Sequence, residues 1–464
     1  VTLRDAWRLW LLVGLNSFGG PAGQISVMHR EVVERRRLIS ERRFLHALNY
    51  CLLLPGPEAQ QLSTYLGWLF NGVRGGVVAG LLFILPGFVV MMALAAGYAT
   101  FGDVPVVDSV IRGLQAGVVA LVASAVVGLS RRAVTTRGQR ALAVAAFVAL
   151  YAFAVPFPVV VLGAALLGWL TGQQRVLAAK DDSLAGTPIR QTNPTGPGPT
   201  ALDSPATEDA GDRYLLPDEG TLDSAATRGA RRAAVVCLVL WLLPVALVLL
   251  TTGTSSVYSQ QAVLFSTAAV VTFGGAYAVL TYISQQAVST YGWISEKDMA
   301  VGLGLAETTP GPLIMVVQFV GFLAAYANPG SLPPLVAGVL GGTLAVWVTF
   351  APCFMFIFAG APYVERLRSS VGLGAALRAV GAAVVGVIAN LGVWFAVTAL
   401  FQESQVADVG PASFVVPVPG SVDPLAVVIA ALALLGLLVW RRSTWQVVLG
   451  SAALGLALGV LGSS

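Results

Sequence analysis

Polar positions are missing from most of the chain over stretches about as long as a bilayer is thick. Thirteen apolar runs, at roughly 8–28, 44–70, 76–99, 108–130, 141–155, 157–172, 233–251, 260–283, 299–326, 335–360, 374–400, 424–440 and 445–462, are separated by short polar or basic connections. A transmembrane helix needs about 20 apolar residues. Inside lipid every backbone N–H and C=O must be paired within the segment, so the runs predict helices. The one long polar interval, 173–232, is rich in Pro, Thr, Asp and Gly and has no apolar periodicity, which predicts a flexible tether. The expected organisation is a first membrane unit at 1–172, a linker at 173–232, and at 233–464 an extra span followed by a second membrane unit.

The two units are copies. Phe18-Gly19-Gly20 recurs as Phe273-Gly274-Gly275, Ile39-Ser40-Glu41 as Ile294-Ser295-Glu296, and Pro55-Gly56-Pro57 as Pro310-Gly311-Pro312, all at an offset of 255 residues. Gly75-Gly76, Pro86 and Arg112 match Gly341-Gly342, Pro352 and Arg378 at an offset of 266. Seven apolar runs separate equivalent positions, so if every run crosses, the second copy is inserted upside down, the inverted-repeat plan of many transporters. The positive-inside rule bears on this. With the N-terminus cytoplasmic, most basic connections and the linker fall inside, but the arginine-rich segment 29–43 falls outside. If runs one and two, each interrupted by a Gly/Pro cluster, enter and return as re-entrant hairpins, that conflict disappears and the inversion survives. The hairpin arrangement is the preferred expectation, with an amphipathic surface helix at 29–43 compatible with either.

Composition agrees with a membrane protein and excludes other classes. Apolar residues make up 56% of the chain and charged residues only 11%, with a mean hydropathy of +0.79, whereas soluble domains are about 25% charged. The net charge of +4 lies in membrane-flanking connections, and nothing supports nucleic-acid binding. Cys51, Cys237 and Cys353 are scattered in apolar runs and are expected to be small core residues rather than a disulfide or metal set. The first basic and aromatic stretch has no small-residue cleavage site, so no removable signal peptide is expected.

The candidate chemistry lies at the helix interruptions, because broken helices at membrane depth are tolerated only where they line protein or a water-filled cavity. In the first copy these are Gly19, Gly20, Pro21, Gly23 and Gln24, then Pro55, Gly56 and Pro57 with Gln61. Gly274 and Gly275, then Thr308, Thr309, Pro310, Gly311 and Pro312, echo them in the second. A proline at the start of a helix costs nothing, since its missing N–H would be unpaired there anyway. The half-helix that follows aims free N–H groups and the positive end of its dipole inward, a geometry that binds anions. Gln60, Ser63, Thr64 and Gln318 add neutral donors that can hold an oxyanion without trapping it. Packing kinks and helix-to-helix hydrogen bonds are the alternative roles of these residues.

Charged residues inside the runs are few. Glu58 directly follows the first Pro-Gly-Pro, where a carboxylate costs several kilocalories per mole unless it is paired, hydrated or protonated, and it is the leading proton-coupling candidate. Glu307 precedes the second Pro-Gly-Pro and is the analogous candidate. Arg112 and Arg378 lie just inside apolar runs at equivalent positions and could draw an anion in from opposite faces, or snorkel to the interface. His29 and His46 have no partners at ligand spacing and are expected to be interfacial. No catalytic triad, phosphate loop or metal motif is present, so no catalytic residue, metal or cofactor is expected.

The segments Phe18–Gln24, Ile39–Glu41, Leu54-Pro-Gly-Pro-Glu-Ala-Gln-Gln61 and Thr64-Tyr-Leu-Gly-Trp68, followed by Gly75-Gly76 and Leu85-Pro-Gly87, closely resemble the chromate ion transporter family. The chain is similar to its long, two-domain form, whose degenerate second copy carries the marks found here at Phe273–Gly275, Trp293–Glu296 and Thr309–Pro312. The resemblance implies an all-α polytopic protein of the plasma membrane with oppositely oriented halves, exporting chromate and conferring chromate resistance. The second copy replaces Pro21 with Ala276 and Glu58 with Leu313, so the halves cannot contribute identical ligands.

The sequence therefore predicts a secondary transporter of two inverted repeats with a midplane oxyanion site and a cytoplasmic linker. Its partners are chromate, the lipid bilayer and protons as coupling ion. A sulfate or other oxyanion transporter or exchanger, and a channel-like anion pore, are the alternatives. A membrane-bound reductase lacks any cofactor motif. Oligomeric state is open, a homodimer being one arrangement.

Overall fold

The computed structural model describes residues 2–18, 20–52, 54–102, 104–184, 224–271, 276–361, 371–409 and 412–462. Helices dominate, as uncharged runs in lipid require. The first copy comprises α1 (Leu3–Asn16), α2 (Gly20–His29), α3 (Glu41–Leu52), α4 (Glu58–Phe101), α5 (Pro105–Ala133), α6 (Arg137–Tyr151) and α7 (Phe157–Leu184). Further along the chain come α8 (Ser224–Thr252), α9 (Val257–Val271), α10 (Ala276–Ser284), α11 (Glu296–Thr308), α12 (Val316–Ala327), α13 (Pro334–Gly360), α14 (Val371–Leu400), α15 (Pro424–Leu438) and α16 (Thr444–Gly462). Helices thus extend into the polar interval at both ends, and residues 185–223 lie outside the described part.

Four apolar runs are divided where Gly and Pro interrupt them. The run at 8–28 becomes α1 and α2, that at 44–70 becomes α3 and the first arm of α4, that at 260–283 becomes α9 and α10, and that at 299–326 becomes α11 and α12. The chain turns back at the first Pro-Gly-Pro. Tyr50 and Tyr65 have ring centroids 5.1 Å apart, yet a straight helix would separate these residues by about 22 Å. The second Pro-Gly-Pro behaves likewise, since a Cβ on Gly302 would lie 2.6 Å from Phe319 Cδ1. Each Pro-Gly-Pro is therefore the tip of a helical hairpin.

The helix α4 turns once more at Asn71 and Gly72, which leave helical geometry, so its first arm is about 20 Å long, too short for a hydrocarbon core of about 30 Å. Small residues zip its two arms together: a Cβ on Gly67 would lie 2.5 Å from the Ala79 Cβ. The same contact joins α12 to α13, where a Cβ on Gly321 would lie 2.7 Å from the Ala345 Cβ. Close approach through Gly and Ala is how membrane helices associate when lipid removes the hydrophobic drive between them.

The extra span α8 is fastened to the second copy by two indoles. Trp241 Nε1 donates to Ser266 Oγ (3.0 Å) and Trp347 Nε1 to the Leu240 carbonyl (2.8 Å). Only 6% of its most apolar stretch is buried, so most of α8 is left uncovered by the rest of the chain. Two features lie outside the sequence expectation. A two-stranded antiparallel sheet, β1 (Ser404–Val409) and β2 (Ala412–Pro417), follows α14, where Val and Phe recur with little helix-forming sequence between them. In addition, π-helical turns occupy Arg30–Arg35 and Gln285–Thr290, equivalent positions at the 255-residue offset.

The segment 29–43 is not a continuous surface helix. A π turn and a left-handed Arg37 (φ +47°) break it before α3 begins, and Glu31 is only 4% exposed. The Arg35 guanidinium, 2.7 Å from Glu31 Oε1, supplies the charge that this burial requires. Nor is His29 merely interfacial: Nδ1 lies 3.2 Å from Glu34 Oε1 and Nε2 contacts Glu41 Oε2. Cys51 and Cys353 are buried as expected of core residues, whereas Cys237 on α8 is half-buried.

Candidate functional site: two interlocked Pro-Gly-Pro tips

Both tips need glycine at their centre. Gly56 has φ +108° and Gly311 φ +96°, conformations that L side chains rarely adopt. Neither has room for a side chain. A Cβ on Gly56 would lie 2.9 Å from Cys353 Sγ on α13 and 3.1 Å from Gln61 Nε2. A Cβ on Gly311 would lie 3.2 Å from Gly87 Cα on α4. Gly56 and Gly311 are repeat equivalents at offset 255, and Gly87 and Cys353 are equivalents at offset 266. Each tip therefore lands on the same place in the other copy. A reciprocal contact of this kind is what a two-fold relation between the copies produces.

The landing place follows a mid-helix proline in both copies, Pro86 in α4 and Pro352 in α13. A proline there removes one N–H and frees the carbonyl four residues earlier. In copy one Gly14 of α1 packs directly against the Leu82 carbonyl, where a side chain would collide with it.

The second tip is also held by the first break. Gly311 N–H donates to the Ser17 carbonyl (2.9 Å), and Gln24 Nε2 donates to the Gly311 carbonyl (2.7 Å). Gln24 is buried, and so are Gly20, Pro55, Gly56, Pro57, Gly311 and Pro312, while Pro21, Gly23 and Pro310 are half-buried. The residues at the two tips and at the first break thus form one closed cluster. Gly19, Gly274 and Gly275 lie outside the described residues.

Beyond each tip, the first N–H groups of the new helix have no partner within it, namely those of Glu58, Ala59 and Gln60 in α4. Leu313 and Ile314 open the corresponding 3₁₀ turn in the second copy. The glutamines around them have each committed one of their two amide protons. Gln61 Nε2 donates to the Pro55 carbonyl (2.6 Å), Gln60 Nε2 to Thr64 Oγ1 (3.0 Å) and Gln318 Nε2 to the Phe88 carbonyl (2.9 Å). The Oε1 atoms of all three are buried with no hydrogen-bond partner among the described residues. Thr308 and Thr309 likewise donate backwards, to the Leu305 carbonyl (2.8 Å) and the Ala306 carbonyl (3.1 Å). The two threonine hydroxyls are thus engaged, and the backbone N–H groups at the two helix starts remain as donors beside them.

Glu58 is half-buried at the start of α4, and no hydrogen bond or ion pair reaches its carboxylate among the described residues. A carboxylate at that place also benefits from the helix dipole. Glu307 is 1% exposed on α11, one residue before Thr308. Arg112 on α5 and Arg378 on α14 have exposed side chains, whereas the tip residues are buried or half-buried. Sequence reasoning missed Ser17, Gly87 and Cys353. The repeat alignment held the signal for the last two, since it pairs them one residue after the matched prolines.

The sequence profile of the chromate transporter family matches residues 5–169 and 259–456. The chain belongs to the chromate transporter family. It is 26% identical over 393 residues to the chromate transport protein of Cupriavidus metallidurans, covering 83% of this chain and 81% of that one. It is 25% identical to the probable chromate transport protein of Synechococcus elongatus, covering 95% and 96%, and 29% identical to the chromate transport protein of Pseudomonas aeruginosa, covering 82% and 77%. No solved structure matches the chain. Membership of the chromate transporter family, with these apolar helices, makes the chain a multi-pass membrane protein and a transporter rather than an enzyme. The family's match falls on two helical regions on either side of residues 170–258.

Proposed function

We propose that the protein exports chromate across the plasma membrane as a secondary transporter and so confers chromate resistance. The observation that carries this reading is the reciprocal landing of the two Pro-Gly-Pro tips. It supports two helix N-termini converging from opposite copies on one site, with the backbone N–H groups of Glu58–Gln60 and of Leu313–Ile314 as the donors for a tetrahedral oxyanion. A two-fold relation together with seven intervening apolar runs supports inverted copies, with a cytoplasmic linker. Because the tips are buried, the present state is a closed one, which favours alternating access over an open pore.

Glu58 has a defined part in this proposal. Its ionised carboxylate occupies the positive end of α4 and competes with the oxyanion for the same donors. Protonation clears that competition and creates an O–H donor on the helix face of Gln61, three residues on, whose buried Oε1 lacks a donor. Proton and oxyanion therefore bind cooperatively. Outward movement of a dianion is driven by the membrane potential, about 2.3 kcal/mol per charge per 100 mV, so the proton modulates transport rather than powering it.

The test is radiolabelled chromate flux into sealed vesicles holding purified protein, with and without a pH gradient, for the wild type and Glu58→Gln. Saturable flux that responds to the gradient in the wild type and ignores it in the variant is expected. A gradient response that persists in Glu58→Gln removes the carboxylate from the mechanism, and absence of chromate flux overturns the substrate. Sulfate is the second reading, favoured by the neutral backbone donors, which do not distinguish two tetrahedral dianions of similar size. Sulfate flux with chromate as a weak competitor would establish it.

A further inference from the structure

His29, Glu34 and Glu41 hold one another in the first copy, the imidazole filling the space between two carboxylates and lying edge-on to Phe44 at 5.0 Å. Both ring nitrogens face carboxylate oxygens. The equivalents of these residues at the 255-residue offset are Ser284, Ser289 and Glu296. All three line a single cavity of about 250 Å³, together with Asn390, Tyr151 and Trp394. The second copy thus keeps one carboxylate of the triad and replaces the imidazole and the other carboxylate with serines. What remains is the imprint of the triad with its ring removed.

The cavity is chemically prepared for a cation. Glu296 is fixed in position, because Trp394 Nε1 donates to its Oε1 (3.0 Å) and Thr398 Oγ1 to its Oε2 (2.6 Å). Each carboxylate oxygen can accept a further bond. Ser284 is 4% exposed, and its Oγ has no hydrogen-bond partner among the described residues. A buried hydroxyl left unpaired is costly, and a hydrogen-bonding ligand in the cavity that reached it would remove that cost. Two aromatic side chains in the lining suit a cation further, while Glu296 repels an anion. The volume exceeds the about 30 Å³ share of one water several-fold, leaving room for a five-membered ring and accompanying water. The lining belongs to α6, α10, the following π turn, α11, α14 and β2, so the cavity stands apart from the tip cluster.

We propose that this cavity is a binding site for a small monovalent cation bearing N–H donors, of the size and charge of imidazolium, seated where His29 sits in the first copy. One N–H donates to Glu296 and another to Ser284 Oγ. The site makes the two copies alike in shape, one with a built-in ring and the other with a borrowed one.

The test titrates full-length protein, purified without imidazole, with imidazole below the pKa of the ring, following heat by calorimetry. Pyrazole, a ring of the same size that stays neutral there, and sodium chloride are run in parallel. Saturable heat for imidazole and none for pyrazole or sodium is expected. Ser284→His rebuilds the first copy's ring inside the cavity and should abolish binding. Glu296→Gln should weaken it at least about tenfold, as loss of a charge-assisted contact does. Thermal unfolding of both variants reports whether they fold, and either one alone suffices to decide. Absence of saturable heat, equal binding of pyrazole, displacement of imidazole by sodium at equal concentration, or wild-type binding in a folded variant would each overturn the proposal.

Discussion

Gly56 lies so close to Cys353 that an added Cβ would stand 2.9 Å from its sulfur, and the equivalent glycine, Gly311, bears in the same way on Gly87. The two hairpin tips are thereby interlocked with the helices of the opposite copy, one residue after Pro86 and Pro352. A helix is weakest against bending where a proline has removed a hydrogen bond. Displacement of either tip therefore acts on the other copy's helix at the point least able to resist, which couples the two halves mechanically.

Gly56→Ala should weaken both stability and transport. It places a Cβ at φ +108°, 2.9 Å from Cys353 Sγ, so the first tip must strain or shift, at a cost of roughly 1–3 kcal/mol. Thermal unfolding in detergent should fall accordingly, and chromate flux should drop at least about tenfold. Wild-type stability and flux in Gly56→Ala would show that the tip does not need glycine.

Gln24→Leu should loosen the junction between the first break and the second tip. It leaves the Gly311 carbonyl buried without its donor, at a cost of about 1–3 kcal/mol. Thermal unfolding in detergent should fall accordingly, while Gln24→Glu, which cannot donate when ionised, should do no better. Wild-type stability in Gln24→Leu would show that the 2.7 Å contact contributes nothing.

Thr308→Val and Thr309→Val are expected to change the apparent affinity for chromate by less than about twofold. Their hydroxyl protons are already given to the Leu305 and Ala306 carbonyls, so neither has a donor left for an oxyanion. A larger loss in concentration-dependent flux would mean that these hydroxyls turn towards substrate when the tips open.

Arg42 and Lys297 are equivalent, exposed residues at the start of α3 and α11. Cysteines placed there, in a background without Cys51, Cys237 and Cys353, should react with a membrane-impermeant maleimide from opposite sides. Labelling of both from one side would defeat the inverted arrangement.

Much of this architecture was legible in the residues themselves. Absence of charge over bilayer-length runs dictates helices, and Pro-Gly-Pro interrupts them wherever it falls, because both effects act among neighbours in the chain. The duplication was legible for the same reason, as identity at constant offsets, and it marked Gly87 and Cys353 even though their role went unread. The partners of His29 were not legible. Glu41 is twelve residues on, and only the π turn and the left-handed Arg37 bring it back to the imidazole. The donor state of Thr308, Thr309 and the glutamines was hidden too, since residue type says that a donor exists and not where its proton points.

The sequence by itself determined the family, the membrane-embedded helical class, the repeat and the places where helices break. Only the tertiary structure decided that each Pro-Gly-Pro tip rests on the other copy, that Ser17 and Gln24 bracket Gly311, and that a cavity opens where Ser284 replaces His29. Helix formation and breakage are settled by local backbone energetics. These contacts join residues up to about three hundred positions apart, and they depend on how whole helices stack.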